Sequence, residues 1–301
     1  MQLLRRRSRM IISAVLTAGT LALAGVPAAV AQETPEYDHY VALGDSFTAG
    51  PFIPVQRLDP LGCFRSTGNY PSMVAARLGV VEFTDVSCTG AVTESMTVPQ
   101  PVLLGVNPPQ FDALRSDTDL VTVGIVGNDV GFSDVFFTCA QLSFTDPAGD
   151  PCRRQITADG VDEFAARIDE AAPKLAAVLQ GIRERSPDAT MVLVGYLRIL
   201  PPENGCFPIV PIARGDVAYL DGIQQQLTAM MAEQAEDNGA LFVDSYAGSL
   251  GRDTCQGPFT RWVEGVFPTM PAFPVHPNAS GMGAVSDLTL TTIDAGVPAA
   301  S

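Results

Sequence analysis

The sequence contains few of the side chains that bind metal ions. Its 301 residues include two histidines, His39 and His276, and none of its six cysteines forms a Cys-x-x-Cys pair. Structural and catalytic zinc sites are built from clusters of these residue types. The composition therefore predicts a protein that binds no metal.

Basic residues are also scarce. The chain has 18 lysines and arginines against 33 aspartates and glutamates, which gives a formal net charge of −15. Four of the arginines lie within residues 1–31, which hold no acidic residue, so the rest of the chain has a charge of −19. An acidic surface repels phosphate backbones and anionic lipid headgroups. We therefore expect neither a nucleic-acid partner nor a stable membrane anchor.

Long hydrophobic runs are missing beyond the first 31 residues. Arginines at positions 5, 6, 7 and 9 precede an apolar run over residues 10–24, and Ala29-Val30-Ala31 follows as a small-residue cleavage site. The run is short for a membrane span, and the arrangement is typical of a secretory signal peptide. The sequence thus predicts that residues 1–31 are removed and that the protein is extracellular. Residues 32–301 show no repeat, low-complexity tract or linker, which favours a single domain.

All six cysteines lie in the predicted mature chain, at positions 63, 88, 139, 152, 206 and 255. An even number of cysteines in an exported protein favours three disulfides, although six cysteines allow fifteen pairings. Pairing in sequence order (Cys63–Cys88, Cys139–Cys152 and Cys206–Cys255) is the simplest hypothesis.

Strand-like and helix-like segments alternate along the mature chain, which favours one parallel sheet with helices on both faces. The predicted strands are residues 37–43, 80–86, 120–126, 191–196 and 241–244. The predicted helices are residues 69–78, 161–184, 216–237 and 280–292. The stretches 50–68, 88–118, 132–158 and 198–213 are rich in Pro, Gly and small polar residues, and we expect long irregular loops there.

A serine, a glycine, an asparagine and a histidine follow predicted strands or precede the last helix. Ser46 lies just past the first strand, Gly90 follows the second, Asn128 follows the third, and His276 comes shortly before the final helix. Ligands of doubly wound sheets bind beyond the carboxyl ends of the strands. The topology therefore predicts that these four positions converge.

The four residue types fit the chemistry of acyl transfer. A serine hydroxyl becomes a good nucleophile when a neighbouring base takes its proton, and His276 can act as that base for Ser46. The oxyanion of a tetrahedral intermediate needs hydrogen-bond donors. The backbone N–H groups of Ser46 and Gly90 and the side-chain amide of Asn128 supply three, and the reaction needs no cofactor.

These residues make the chain similar to the SGNH hydrolases, also called GDSL esterases and lipases. Gly44-Asp45-Ser46 matches the first block of the family, Gly90 the second, Gly127-Asn128-Asp129 the third and His276-Pro277 the fifth. The resemblance covers essentially the whole mature chain. It implies a three-layer α/β/α sandwich with a flavodoxin-like parallel sheet of about five strands. The signal peptide and six cysteines resemble the secreted bacterial branch, in which three disulfides pair sequentially.

Two departures from the family pattern stand out. Val126 replaces the first glycine of the usual Gly-Gly-Asn-Asp block, and Phe273 occupies the position of the usual aspartate three residues before the histidine. We therefore predict a Ser–His dyad, in which the main-chain carbonyl of Phe273 or Pro274 orients the imidazole. A carboxylate from elsewhere in the chain is the alternative.

The expected substrate is a small ester or a lipid, and the expected state is a monomer. A non-catalytic exported binding protein on an esterase scaffold is the alternative function, since a fold does not determine a function. A secreted serine protease is a third hypothesis, without independent support. We interpret His39 as structural or solvent-facing, and Asp45 and Asp129 as structural. Trp262 and Phe267 either line an acyl site or pack in the core, and we favour the core.

Overall fold

A computed structural model describes residues 37–296 of the chain. The predicted signal peptide, residues 1–31, lies outside the described residues. All of the described residues belong to one compact unit. Within residues 37–296, no helix combines the length and the apolar character that a membrane crossing requires.

The described residues form seven strands: β1 His39–Gly44, β2 Glu82–Asp85, β3 Gln100–Val102, β4 Gly105–Asn107, β5 Leu120–Gly124, β6 Thr190–Val194 and β7 Leu241–Val243. Five of them form a parallel sheet in the order β2-β1-β5-β6-β7, and β3 and β4 form a separate antiparallel hairpin. The order is the flavodoxin-like one once the β3–β4 hairpin is set aside. Every residue of the central strands β1 and β5 is buried, because helices cover both faces of the sheet.

Eight α-helices accompany the strands within the described range. They are α1 Ser46–Ala49, α2 Tyr70–Leu78, α3 Phe132–Leu142, α4 Pro151–Ile156, α5 Glu163–Arg185, α6 Arg214–Asp237, α7 Ser245–Gly248 and α8 Ala279–Gly296. Helix α5 packs against α6, and α2 packs against α8. The sandwich predicted from the sequence is confirmed.

The apolar stripe of α5 shows why the sequence folds this way. Phe164, Ile168, Leu175 and Ile182 are all buried, and they recur at the spacing of one helix face. The helix begins two residues later than the stretch 161–184 predicts, because the Asp162 side chain caps it by accepting hydrogen bonds from the backbone N–H groups of Phe164 and Ala165.

The stretches expected to be irregular contain more structure than the sequence indicates. The prediction was wrong for residues 132–158, which form α3 and α4, and residues 88–118 include the β3–β4 hairpin and two short 3₁₀ helices. In α3, Val135, Phe136 and Cys139 are buried at helical spacing. Disulfides join Cys63 to Cys88, Cys139 to Cys152 and Cys206 to Cys255, which is the sequential order. The second of these disulfides ties α3 to α4.

Candidate active site

Ser46 lies at the carboxyl end of the central strand β1, as the first residue of the short helix α1. The strand ends at Gly44, whose φ of +151° is unfavourable for other residues, and whose missing Cβ would lie 2.6 Å from the Gly124 carbonyl oxygen. Asp45 then caps α1 by accepting a hydrogen bond of 2.9 Å from the Phe47 N–H. Local backbone requirements thus fix the nucleophile candidate at the edge of the sheet.

His276 comes from the other end of the chain and contacts Ser46 directly. Its Nε2 lies 2.8 Å from Ser46 Oγ, and its Nδ1 lies 2.8 Å from the carbonyl oxygen of Pro274. A carbonyl can only accept, so Nδ1 carries the hydrogen and Nε2 is left to accept the serine proton. The Phe273 carbonyl instead accepts from the His276 backbone N–H at 3.2 Å. The sequence left two candidate carbonyls, those of Phe273 and Pro274, and the Pro274 carbonyl is the one that bonds to the imidazole.

The surroundings of His276 favour the neutral imidazole. The side chain is buried, and the aromatic rings of Phe47 and Phe273 pack against it with centroids 4.9 and 5.1 Å away. Burial lowers the pKa of His276 to about 4, although the hydrogen bond to Pro274 opposes this effect. At neutral pH the ring is therefore uncharged and free to take a proton.

Asn128 faces the same cavity as Ser46 and His276. One amide hydrogen of its Nδ2 donates to the Ala91 carbonyl at 2.8 Å, which fixes the side chain. The amide group carries a second hydrogen that this bond does not use. Asn128 is thus brought together with the serine and the histidine.

Gly90 is placed differently from the other three. It is exposed, has a φ of +77°, and does not line the cavity that Ser46, Asn128 and His276 share. A Cβ at this position would meet only the Gln100 side chain, at an ordinary 3.7 Å. The glycine is therefore required by its backbone conformation rather than by crowding from the protein. Within residues 37–296, the N–H groups of Ser46 and Gly90 donate to no acceptor.

Sequence reasoning missed Tyr196, which links two of the family blocks. Its hydroxyl donates to Asp45 Oδ2 at 2.6 Å and accepts from the Gly127 N–H at 2.7 Å. A side chain on Gly127 would collide with the tyrosine, since its Cβ would lie 2.9 Å from the hydroxyl. Burial raises the pKa of the Asp45 carboxyl to about 7, against the hydrogen bonds from Tyr196 and Phe47 that lower it. Tyr196 ends a predicted strand, but nothing in the sequence signals its long-range partners.

The remaining sequence-predicted residues are mostly structural. Asp129 accepts hydrogen bonds from Thr93, and the buried His39 pairs its Nδ1 with Thr118. Val126 has a φ of +99°, a conformation natural for the glycine that the family has there. Trp262 packs against the core, whereas the prediction for Phe267 was wrong, because that side chain is 80% exposed.

Apolar space surrounds the Ser46–His276 pair. A small cavity at Ser46 is lined by Phe47, Phe132 and Leu227 among others, and a second cavity of about 100 Å³ adjoins His276. Phe47 and Phe132 line both cavities. The arrangement places an activated hydroxyl, an amide donor and apolar walls around one point, which is suited to acyl transfer.

Comparisons with known proteins agree with this chemistry. The model of the GDSL-like Lipase/Acylhydrolase family matches residues 42–284. Lipase 2 of Streptomyces coelicolor is 39% identical over 294 residues, covering 95% of this chain and 97% of that protein. A lipase of Streptomyces rimosus is 31% identical over 271 residues, which cover 89% of this chain and 91% of that protein.

Solved structures give the same result. The crystal structure of phospholipase A1 from Streptomyces albidoflavus NA297 superimposes with a TM-score of 0.71 at 26% identity, covering 85% of this chain and 98% of that one. The crystal structure of the extracellular lipase from Streptomyces rimosus superimposes with a TM-score of 0.70 at 26% identity, covering 86% of this chain and 100% of that one. The resemblance predicted from the sequence is confirmed: this chain belongs to the GDSL-like lipase/acylhydrolase family, the SGNH hydrolases, and is a carboxylic ester hydrolase of the lipase and esterase type.

Proposed function

We propose that the protein is an exported serine ester hydrolase in which Ser46 and His276 form a catalytic dyad. The observation that carries this proposal is the 2.8 Å contact between Ser46 Oγ and His276 Nε2, with Nδ1 bound to a carbonyl that fixes the tautomer. No carboxylate of the described residues bonds to the imidazole. The Pro274 carbonyl orients the ring and stabilises the imidazolium less than a carboxylate does.

In the first half of the reaction, His276 takes the hydroxyl proton as Ser46 Oγ attacks the ester carbonyl carbon. The charge that develops on the carbonyl oxygen is stabilised by the N–H groups of Ser46 and Gly90 and the amide of Asn128. The imidazolium then protonates the departing alcohol. In the second half, His276 activates a water molecule, which hydrolyses the acyl-enzyme and releases the acid.

The substrate is an ester or lipid with an apolar acyl group. Phe47 and Phe132 line both cavities at the dyad, so an acyl chain there replaces contact with water by contact with aromatic rings. Phe52 and Phe137, both more than 40% exposed, extend the apolar surface outward from Phe273 and from the second cavity. A reaction on neutral esters fits a chain of strongly negative charge.

Export, a single domain over residues 32–301 and a monomeric state complete the proposal. The arginine-rich start, apolar run and Ala-Val-Ala site support cleavage after residue 31. Three disulfides are consistent with an oxidising compartment, and the similar Streptomyces rimosus lipase is described as extracellular.

A fluorophosphonate probe tests the mechanism, because it phosphonylates only an activated serine. We expect intact-mass analysis to show one adduct on the wild type, mapped to Ser46, and none on Ser46→Ala. A folded wild type that takes up no probe would contradict the proposal and favour the non-catalytic binding protein.

A further inference from the structure

A buried ion pair lies directly behind the segment that carries His276. Glu264 is fully buried, and its Oε2 lies 2.7 Å from Nη2 of the nearly buried Arg261. Neither residue contacts the cavity at Ser46. Burying a carboxylate costs free energy unless it is paired and hydrogen-bonded, so this pair requires an explanation.

The Glu264 carboxylate joins two segments of the chain. Its Oε1 accepts from Asn278 Nδ2 at 2.8 Å, and its Oε2 accepts from the Thr269 N–H at 2.9 Å. Burial alone would raise the pKa of Glu264, but the bonds from Asn278, Thr269 and Arg261 outweigh it and hold the pKa below its ordinary value. The group is therefore a carboxylate at neutral pH, with both oxygens occupied.

The backbone around Glu264 runs alongside the histidine segment. The Glu264 N–H donates to the His276 carbonyl at 2.9 Å, and the Asn278 N–H donates to the Trp262 carbonyl at the same distance. Val263 and Pro277 form an antiparallel bridge between these two bonds. Asn278 also accepts from the Gly281 N–H through Oδ1, which ties the segment to the first turn of α8.

We propose that Glu264 is a positioning residue for the Ser46–His276 dyad, and this inference rests on the proposed function. The family usually places an acid three residues before the histidine, whereas this chain has Phe273 there. Here the Glu264 carboxylate instead accepts hydrogen bonds from the Asn278 side-chain amide and from the Thr269 N–H. These two bonds hold the backbone from which His276 Nε2 reaches Ser46.

The chain offers a matched control for this role. Asp221 is also buried and pairs with the nearly buried Arg198, with 2.5 Å between Oδ1 and Nη1. It bonds to Tyr246 and to Gln225, and not to the segment around His276. Asp221→Asn therefore breaks a comparable ion pair without touching the histidine segment.

The test compares Glu264→Gln with Asp221→Asn in hydrolysis of p-nitrophenyl butyrate. We expect Glu264→Gln to lower kcat at least tenfold with KM changed less than threefold, because the Glu264 carboxylate and its partners do not line the substrate cavity. The acid limb of kcat/KM should also move to a higher pH, because a His276 ring that is less shielded from water has a higher pKa. Asp221→Asn should keep kcat within twofold of the wild type and leave that acid limb unchanged.

Several outcomes would overturn the inference. One is a folded Glu264→Gln variant with wild-type kcat, and another is a loss matched by Asp221→Asn at the same folded fraction. If Glu264→Gln does not fold, the Asn278→Ala variant provides the test. It keeps the Arg261–Glu264 ion pair but removes the hydrogen bond from the Asn278 amide to Glu264. A wild-type kcat in this variant would refute the positioning role of Glu264. A wild type that is labelled at Ser46 keeps the proposed function intact in each of these cases.

Discussion

The burial of His276 leads to a specific prediction about pH. The pKa of about 4 lies well below the ordinary value of 6.5 because the ring is shielded from water. A general base must be unprotonated, and kcat/KM reports the ionisation of the free enzyme. We therefore expect the acid limb of kcat/KM to have its midpoint near pH 4.

The size of the effect makes the assay decisive. At pH 5 a histidine with a pKa of about 4 is roughly 90% neutral, whereas one with an ordinary pKa of 6.5 is about 3% neutral. The measurement is kcat/KM for a neutral p-nitrophenyl ester between pH 3.5 and 8, with circular dichroism recorded at each pH. Ring resonances give a second readout, and a His39→Gln variant assigns them because the chain has two histidines.

The same ionisation affects stability. The unfolded chain binds a proton at His276 near pH 6.5 and the folded chain only near pH 4, so the free energy of unfolding falls as pH drops through this window. The expected loss is about 3 kcal/mol, from 1.36 kcal/mol per pKa unit. A limb midpoint near 6.5 in a folded protein, or a His276 resonance that titrates there, would refute the reasoning.

Three further changes have defined outcomes. Asn128→Ala removes an oxyanion donor and should lower kcat by about 10²–10³ with little change in KM, measured by steady-state kinetics. Tyr196→Phe leaves the buried Asp45 carboxylate without one of its donors and should lower the free energy of unfolding in urea by about 3 kcal/mol. Removing the disulfide of Cys206 and Cys255, which are 49 residues apart, should cost about 4 kcal/mol in the same assay. Wild-type values in any of these variants would contradict the corresponding role.

The order of the strands explains why much of the site could be predicted. Ser46 and Asn128 each follow a buried strand, and neighbouring parallel strands end at one edge of the sheet. Their convergence with His276 therefore follows from the α/β pattern and the family blocks together. The identity of the orienting carbonyl did not follow, because Phe273 and Pro274 differ only in local backbone geometry.

Other features depend on contacts that no local pattern records. Tyr196 bonds to Asp45 across 151 positions of the sequence. Glu264 lies in an irregular loop, and its backbone N–H donates to the His276 carbonyl. Helix α3 was missed because its cysteine and the turn residues around it resemble a loop. Phe267 was placed in the core on hydrophobicity alone, although apolar atoms make up much of any protein surface.

The central claim is that Ser46 and His276 together hydrolyse esters. The most direct measurement is the hydrolysis of p-nitrophenyl esters of increasing chain length by the wild type, Ser46→Ala and His276→Ala, with each protein shown to be folded. The account predicts activity in the wild type that collapses in both variants for every ester. Activity that survives Ser46→Ala would contradict it and leave that serine as part of a turn.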